Sequence, residues 1–198
     1  MKMNTALSLF LLLLVSATLQ AQPKEVMDAY NLNQAIVGKD IVKVKKLIQE
    51  GNDVNYQYNG RNALHTACDK DLPEMVELLL KAGADVNSFS EEGIGLTPLQ
   101  FVTGDFMQDD SPELVELLLK SGADPNLTKE IDQHPLFEAI KSAHVESVKL
   151  LLAHGASTDL KNSMDQTPID HVDYLINRGV TDPKTKVDWQ KIKVLLSK

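Results

Sequence analysis

Three groupings of side chains in this 198-residue chain could do chemistry. His65 and Cys68 stand three residues apart, with Asp69 next. On a helix they would lie side by side, as a base and the thiol it activates must. Asp105, Asp109 and Asp110 gather carboxylates of the kind a calcium loop uses. Asn126-Leu127-Thr128 is an N-glycosylation triplet. Each has a plainer reading. A free cysteine is usually a small buried hydrophobe. The acidic stretch lacks the ligand spacing and glycine of an EF-hand and reads as a solvated loop. His134, His144, His154 and His171 have no histidine or cysteine partner at metal-ligand spacing. There is no glycine-rich phosphate loop and no serine elbow. No catalytic residue, metal site or cofactor is expected, and the chain reads as a non-enzyme.

Composition narrows the classes further. With one cysteine, neither an intramolecular disulfide framework nor a multi-cysteine zinc module is possible. The 43% apolar and 24% charged residues are those of a folded protein. The formal charge of -8 argues against non-specific binding to nucleic acid or anionic lipid.

Residues 1–21 read as an address. Lys2 is the only charge, Ala6 to Val15 is apolar but for Ser8, and small residues follow, with cleavage after Ala17 or Ala21. The apolar run is too short to span a bilayer, and the pattern is that of a secretory signal peptide. A buried N-terminal helix is the other reading. Cleavage after Ala21 would take the charge to -9. With no further spanning segment, membrane insertion is not expected.

The elements that must position any site come from an internal period. Gly83-Ala84-Asp85 recurs as Gly122-Ala123-Asp124, with looser copies at Gly51 and Gly155. A Val-x-x-Leu-Leu-type run precedes each glycine, and upstream lies a block such as Ala63-Leu64-His65-Thr66-Ala67 or Thr97-Pro98-Leu99. Asn55, Asn87 and Asn126 close the first three units. Thr-Pro starts a helix, because Thr accepts from free backbone N–H groups and Pro suits the first turn. A second amphipathic helix follows, and glycine ends it in a left-handed conformation. One helix-turn-helix unit cannot bury its own apolar face, so units must stack. The expected fold is an all-α solenoid of five stacked units with extended loops. Residues 22–198 form one domain, with units at about 25–55, 56–87, 88–126, 127–159 and 160–198. Glu25 to Val37 is expected as a capping helix, and Asp188 to Leu196 as the last helix with Asp188 as its cap.

Arg61-Asn62-Ala63-Leu64-His65-Thr66-Ala67 through Gly83-Ala84-Asp85-Val86-Asn87 resembles the ankyrin repeat, in particular the short exported type found in bacteria. The resemblance implies a protein-binding scaffold whose concave side is lined by first helices and loop tips. It also implies that His65 bonds loop backbone and that Cys68 packs between helices.

Candidate contact residues follow from departures within this pattern. The third unit carries three extra residues in the loop 88–96 and four more between its helices, at 104–110. Such insertions in solenoids fall on loops that often bind, although neutral drift gives the same signature. The candidates are Phe89, Glu91, Glu92, Asp105, Phe106, Met107, Asp109 and Asp110, joined by Tyr56, Tyr58 and Arg61 in the preceding loop. For the tyrosines and Arg61, packing against neighbouring loops is an equal reading. Residues 88–126 hold eight acids and only Lys120, which suggests one acidic patch steering a partner with a basic surface, although Glu113 and Glu116 on the second helix also read as a solvated outer face.

The function expected is a periplasmic or secreted binding protein, a monomer when free. It would bind and inhibit an enzyme of that compartment, such as a peptidoglycan hydrolase, for self-protection. The aromatic loop and acidic insertion would together cover the enzyme's active-site mouth. A non-inhibitory envelope scaffold or stress-protection factor, or an effector acting on a host protein, are the competing functions.

Overall fold

A computed structural model describes residues 23–93, 95–104, 109–179 and 182–197. The leader expected at residues 1–21 lies outside them. Among the described residues there are ten α-helices and no strand longer than a single bridge. They pair in chain order as α1 Lys24–Val37 with α2 Ile41–Gln49, α3 Ala63–Asp69 with α4 Pro73–Lys81, and α5 Pro98–Thr103 with α6 Pro112–Lys120. The last two pairs are α7 Pro135–Lys141 with α8 Val145–Ala153, and α9 Pro168–Asn177 with α10 Pro183–Leu196. First helices α1, α3, α5, α7 and α9 pack on one another as one layer. Second helices α4, α6, α8 and α10 form the other. The single apolar core between the layers runs through every unit, from Leu32 and Ile36 to Trp189 and Ile192. This is the all-α solenoid of stacked units that the repeat pattern requires.

Local chemistry explains several of the helix ends. Thr97 and Thr167 accept from the backbone N–H groups of Gln100 and Asp170, and a proline follows each. Gly51, Gly83, Gly122 and Gly155 have φ of 88°, 89°, 93° and 88°, the left-handed region that glycine enters without strain.

The units are joined by a repeated clasp. Asn55 donates to the Gly83 carbonyl (3.0 Å) and accepts from the Asp85 N–H (2.8 Å). Asn87 does the same to Gly122 and Asp124 at 3.0 and 2.9 Å, and Asn126 to Gly155 and Ser157 at 3.0 and 2.8 Å. The closing asparagine of each of the first three units thus grips the glycine turn of the next. A second link comes from the first helices. His65 Nε2 lies 3.1 Å from the Leu96 carbonyl, and Gln100 Nε2 donates to the Gln133 carbonyl at 2.5 Å. Phe137 holds this position in the fourth unit and has no donor. There the Ser163 N–H donates to Asp132 Oδ1 (2.7 Å) instead.

The last helix starts earlier than the apolar spacing suggests. It begins at Pro183, and Asp182, not Asp188, caps it by accepting from the Thr185 N–H (2.8 Å). The first turn is polar, so hydrophobic spacing alone does not reveal it. Trp189 is buried and donates to the Ile140 carbonyl (2.7 Å), tying the end helix back to the fourth unit.

Candidate protein-binding surface

Between units the chain runs out into fingers. In the first, Asn59 and Gly60 have φ of 52° and 75°, and Tyr58 and Arg61 exchange backbone hydrogen bonds at 2.9 and 3.3 Å. This is a two-residue hairpin of the type that Asn-Gly favours. The next finger, lengthened by the three extra residues, closes on itself through Ser90. Its N–H donates to the Leu96 carbonyl, and its hydroxyl accepts from the Leu96 N–H. Gln57 joins the two fingers by donating to the Phe89 carbonyl (2.8 Å) and accepting from the Glu91 N–H (2.9 Å). A Cβ on Gly60 would stand 2.7 Å from the Glu92 nitrogen, so close approach as well as φ demands glycine there.

This frame determines what the candidate residues present. Arg61 lies with its guanidinium 4.8 Å from the centre of the Phe101 ring, and its Nε is 2.7 Å from Glu92 Oε2. That Nε is buried and its N–H is not aligned for a hydrogen bond, so the contact with Glu92 is charge alone. Arg61 also has Asp69 at 3.6 Å, and it therefore braces two fingers and a helix. Phe89 is half-buried with the Lys129 ammonium 4.6 Å above its ring. Glu91 and Glu92 are exposed. Tyr56 and Tyr58 are half-buried and line a notch of about 360 Å³ with Val26, Met27 and Tyr30 of α1.

The second insertion lies elsewhere. In sequence the finger precedes α5 and the insertion follows it, and α5 itself is about 9 Å long. Asp110 is bound within the fold. Its carboxylate accepts from the Glu146 N–H (2.9 Å), the Ser147 N–H (3.3 Å) and the Ser147 hydroxyl, capping α8 of the next unit. Asp109 is exposed. Asp105, Phe106 and Met107 lie outside the described residues. Asp109 and Asp110 edge a concavity of about 780 Å³ between α8 and α10, whose walls mix them with Lys149, Lys184 and Lys191.

Among the described residues, the acids expected from the charge count to form a single patch are spread over several places. Glu91 and Glu92 are on a finger, and Asp109 and Asp110 at the helix-turn edge. Glu113 and Glu116 stand in the second-helix layer, where they face Glu74 and Glu77 across a groove. Asp124 caps its own turn by accepting from the Asn126 N–H (2.8 Å). Neighbours in sequence are separated here because one unit spans the whole height of the stack.

Other exposed residues were missed. Ile131 and Met164 are 54% and 51% exposed. Each stands three residues before its unit's helix cap, the position that Asn59 holds in the first hairpin. Aligning the units on their caps would have revealed them. Ile94 has the same place before Thr97 and lies outside the described residues. Tyr174 adds a 38% exposed ring on α9.

The thiol-imidazole reading does not survive the geometry. Both His65 nitrogens are engaged, Nδ1 by the Asn62 N–H (3.4 Å) and Nε2 by the Ser88 and Leu96 carbonyls (3.1 Å each). Burial pushes the His65 pKa down to about 4 and drives that of the Cys68 thiol far up. A neutral imidazole with no free nitrogen cannot activate a buried thiol. Among the described residues no three His, Cys, Asp or Glu side chains converge as metal ligands, and no helix is long and apolar enough to cross a membrane.

Comparison with known proteins matches residues 47–102 to a family model described as ankyrin repeats (many copies). Residues 106–182 match one described as ankyrin repeats (3 copies). Together these cover about two thirds of the chain. The chain is 44% identical over 59 residues to mouse ankyrin repeat and SOCS box protein 16, covering 30% of this chain and 13% of that protein. It is 41% identical over 64 residues to human ankyrin repeat domain-containing protein 40, covering 31% and 17% respectively. The aligned part spans less than a fifth of either relative.

Proposed function

We propose a function from one premise: this chain belongs to the ankyrin-repeat family, and ankyrin repeats are protein-interaction modules that typically carry no catalysis. The proposed function is that of an exported binding protein whose finger edge engages a protein partner. The observation that carries it is the row of apolar side chains that the stack does not use. Ile131 and Met164 project from successive finger tips, and the tyrosine notch opens at the end of the same row. Single exposed apolar side chains are ordinary on a protein surface, and what distinguishes these is their recurrence at one position of two successive fingers.

Export is proposed from the leader pattern of residues 1–21, and the compartment is the periplasm or the outside of the cell. The partner proposed is an enzyme of that compartment, with a peptidoglycan hydrolase as the first class to assay. Inhibition by covering its active-site mouth is the proposed consequence. The finger edge supports this role, whereas Asp110 of the acidic insertion is taken up in capping α8.

The test combines capture and assay. The mature chain is used as bait against the exported fraction of the producing cell, beside an Ile131→Asp, Met164→Asp double variant. The reading expects a partner whose affinity falls about tenfold or more in the variant, as for central apolar contacts. It also expects loss of the captured enzyme's activity. Equal capture by both forms overturns the finger edge as the surface. Capture without inhibition replaces the inhibitor with a scaffold. N-terminal sequencing of the exported protein should begin after Ala17 or Ala21, and an uncleaved cytoplasmic chain overturns export.

A further inference from the structure

We propose that the notch formed by Tyr30, Tyr56 and Tyr58 anchors an arginine or lysine side chain presented by the protein partner. The inference rests on the protein-binding reading above and adds the chemistry of one contact.

Three observations lead to it. The first is the shape and lining of the notch. It measures about 360 Å³, and its walls are the three tyrosines with Val26 and Met27. Tyr30 and Tyr58 meet edge to face, with centroids 5.5 Å apart and ring planes at 64°. In that arrangement the edge of one ring meets the face of the other, and both rings border the same space. Asn59 at the rim brings an amide able to accept a hydrogen bond.

The second observation is that two other aromatic rings, Phe89 on a finger and the buried Phe101 on α5, already hold a cation from within the chain. Phe89 has the Lys129 ammonium of the following finger 4.6 Å above it. Phe101 has the Arg61 guanidinium of the preceding finger at 4.8 Å. In each case a neighbouring unit supplies the cation. The tyrosine notch lies beside α1, the first described helix, and no lysine or arginine is among the residues lining it. A ring face carries negative potential and attracts a cation whichever chain brings it.

The third observation is charge. The chain carries a formal -8, so a partner surface rich in arginine or lysine is the complementary one. With the acidic side chains spread over several faces, a cation that enters the notch gains both the general field and one specific seat.

The chain has four tyrosines, and three line the notch, which makes the site directly observable. The protein is labelled with ¹³C in its tyrosine rings and titrated with N-acetyl-Gly-Arg-Gly-amide. A peptide with citrulline, the neutral isostere, is the control. The expected result is movement of the Tyr30, Tyr56 and Tyr58 ring signals while Tyr174 stays still. The arginine peptide should bind about two- to fivefold more tightly than the citrulline peptide, the range for an exposed cation over aromatic rings. Equal affinity of the two peptides would mean that the notch reads apolar bulk rather than charge. No movement with either peptide would remove the notch as an anchor. With a captured partner, Tyr58→Ala should weaken binding about tenfold or more, its helix content being checked by circular dichroism. Unchanged affinity there overturns the anchor and leaves the protein-binding reading intact. Failure to capture any partner overturns that reading, and the peptide titration still judges the notch.

Discussion

Mild acid should destabilise this protein through His65. The side chain is fully buried, and its pKa is pushed down to about 4, first by burial. In an unfolded chain a histidine titrates near 6.5. Below that value the unfolded state takes up a proton that the folded state refuses. The stability contributed by the neutral imidazole is therefore complete above about pH 6.5 and is lost as pH falls toward 4. Linkage gives a loss of about 2 kcal/mol by pH 5 and about 3 kcal/mol by pH 4. His134 and His171 are shifted in the same direction, also first by burial, and steepen the total dependence. The His65 share is isolated with His65→Gln. Gln100 shows that a glutamine at this point of a first helix can make the bridge to the next finger, and it does not titrate. Urea unfolding of both proteins at pH 7 and pH 5 gives the difference in stability at each pH. That difference should move by about 2 kcal/mol in favour of the variant on acidification. A difference that is the same at both pH values would refute the claim that burial holds His65 neutral.

Three further perturbations follow from the clasp, a strained turn and the cap. Asn87→Ala removes both bonds to the next glycine turn and should cost about 1–3 kcal/mol by urea unfolding, with hydrogen exchange rising on both sides of the seam. Ala143 has φ 57°, a conformation that costs a residue with a Cβ about 1–2 kcal/mol. Ala143→Gly should accordingly leave stability unchanged or raise it by up to about 1 kcal/mol, read as melting temperature, because glycine loses more entropy on folding. Asp110→Ala should cost about 1 kcal/mol through the lost cap of α8, whereas Asp109→Ala should be neutral. Equal effects of the two substitutions would refute the capping role.

The sequence made the framework readable because each framework residue answers a local demand. Thr-Pro, the left-handed glycines and the apolar faces act within a few residues of one another, and the period then fixes the stack. The structural role of His65 and Cys68 was legible only through the ankyrin resemblance, because the carbonyls that His65 meets lie 23 and 31 residues away. The start of α10 was not, because its first turn holds to Asp182 rather than to the core. The surface was harder still. Adding up charge by unit hid the fact that a unit crosses the whole height of the molecule, so acids close in sequence end on different faces. Tyr56 and Tyr58 were visible as candidates, but Tyr30, their partner across the notch, sits 26 residues before Tyr56 on a helix that pattern alone assigns to the end cap.

The asparagine clasp has a consequence for how such a chain can change length. Each asparagine holds only the glycine turn directly after it, and every turn offers the same carbonyl and the same N–H. Excising residues 56–87 would bring Asn55 to Gly122 and Asp124, the groups that Asn87 holds now. The junction chemistry is indifferent to which unit follows. Gain or loss of a whole unit therefore leaves the asparagine clasp intact, and only the unit-specific links of the fingers have to be rebuilt as the number of finger tips in the row changes.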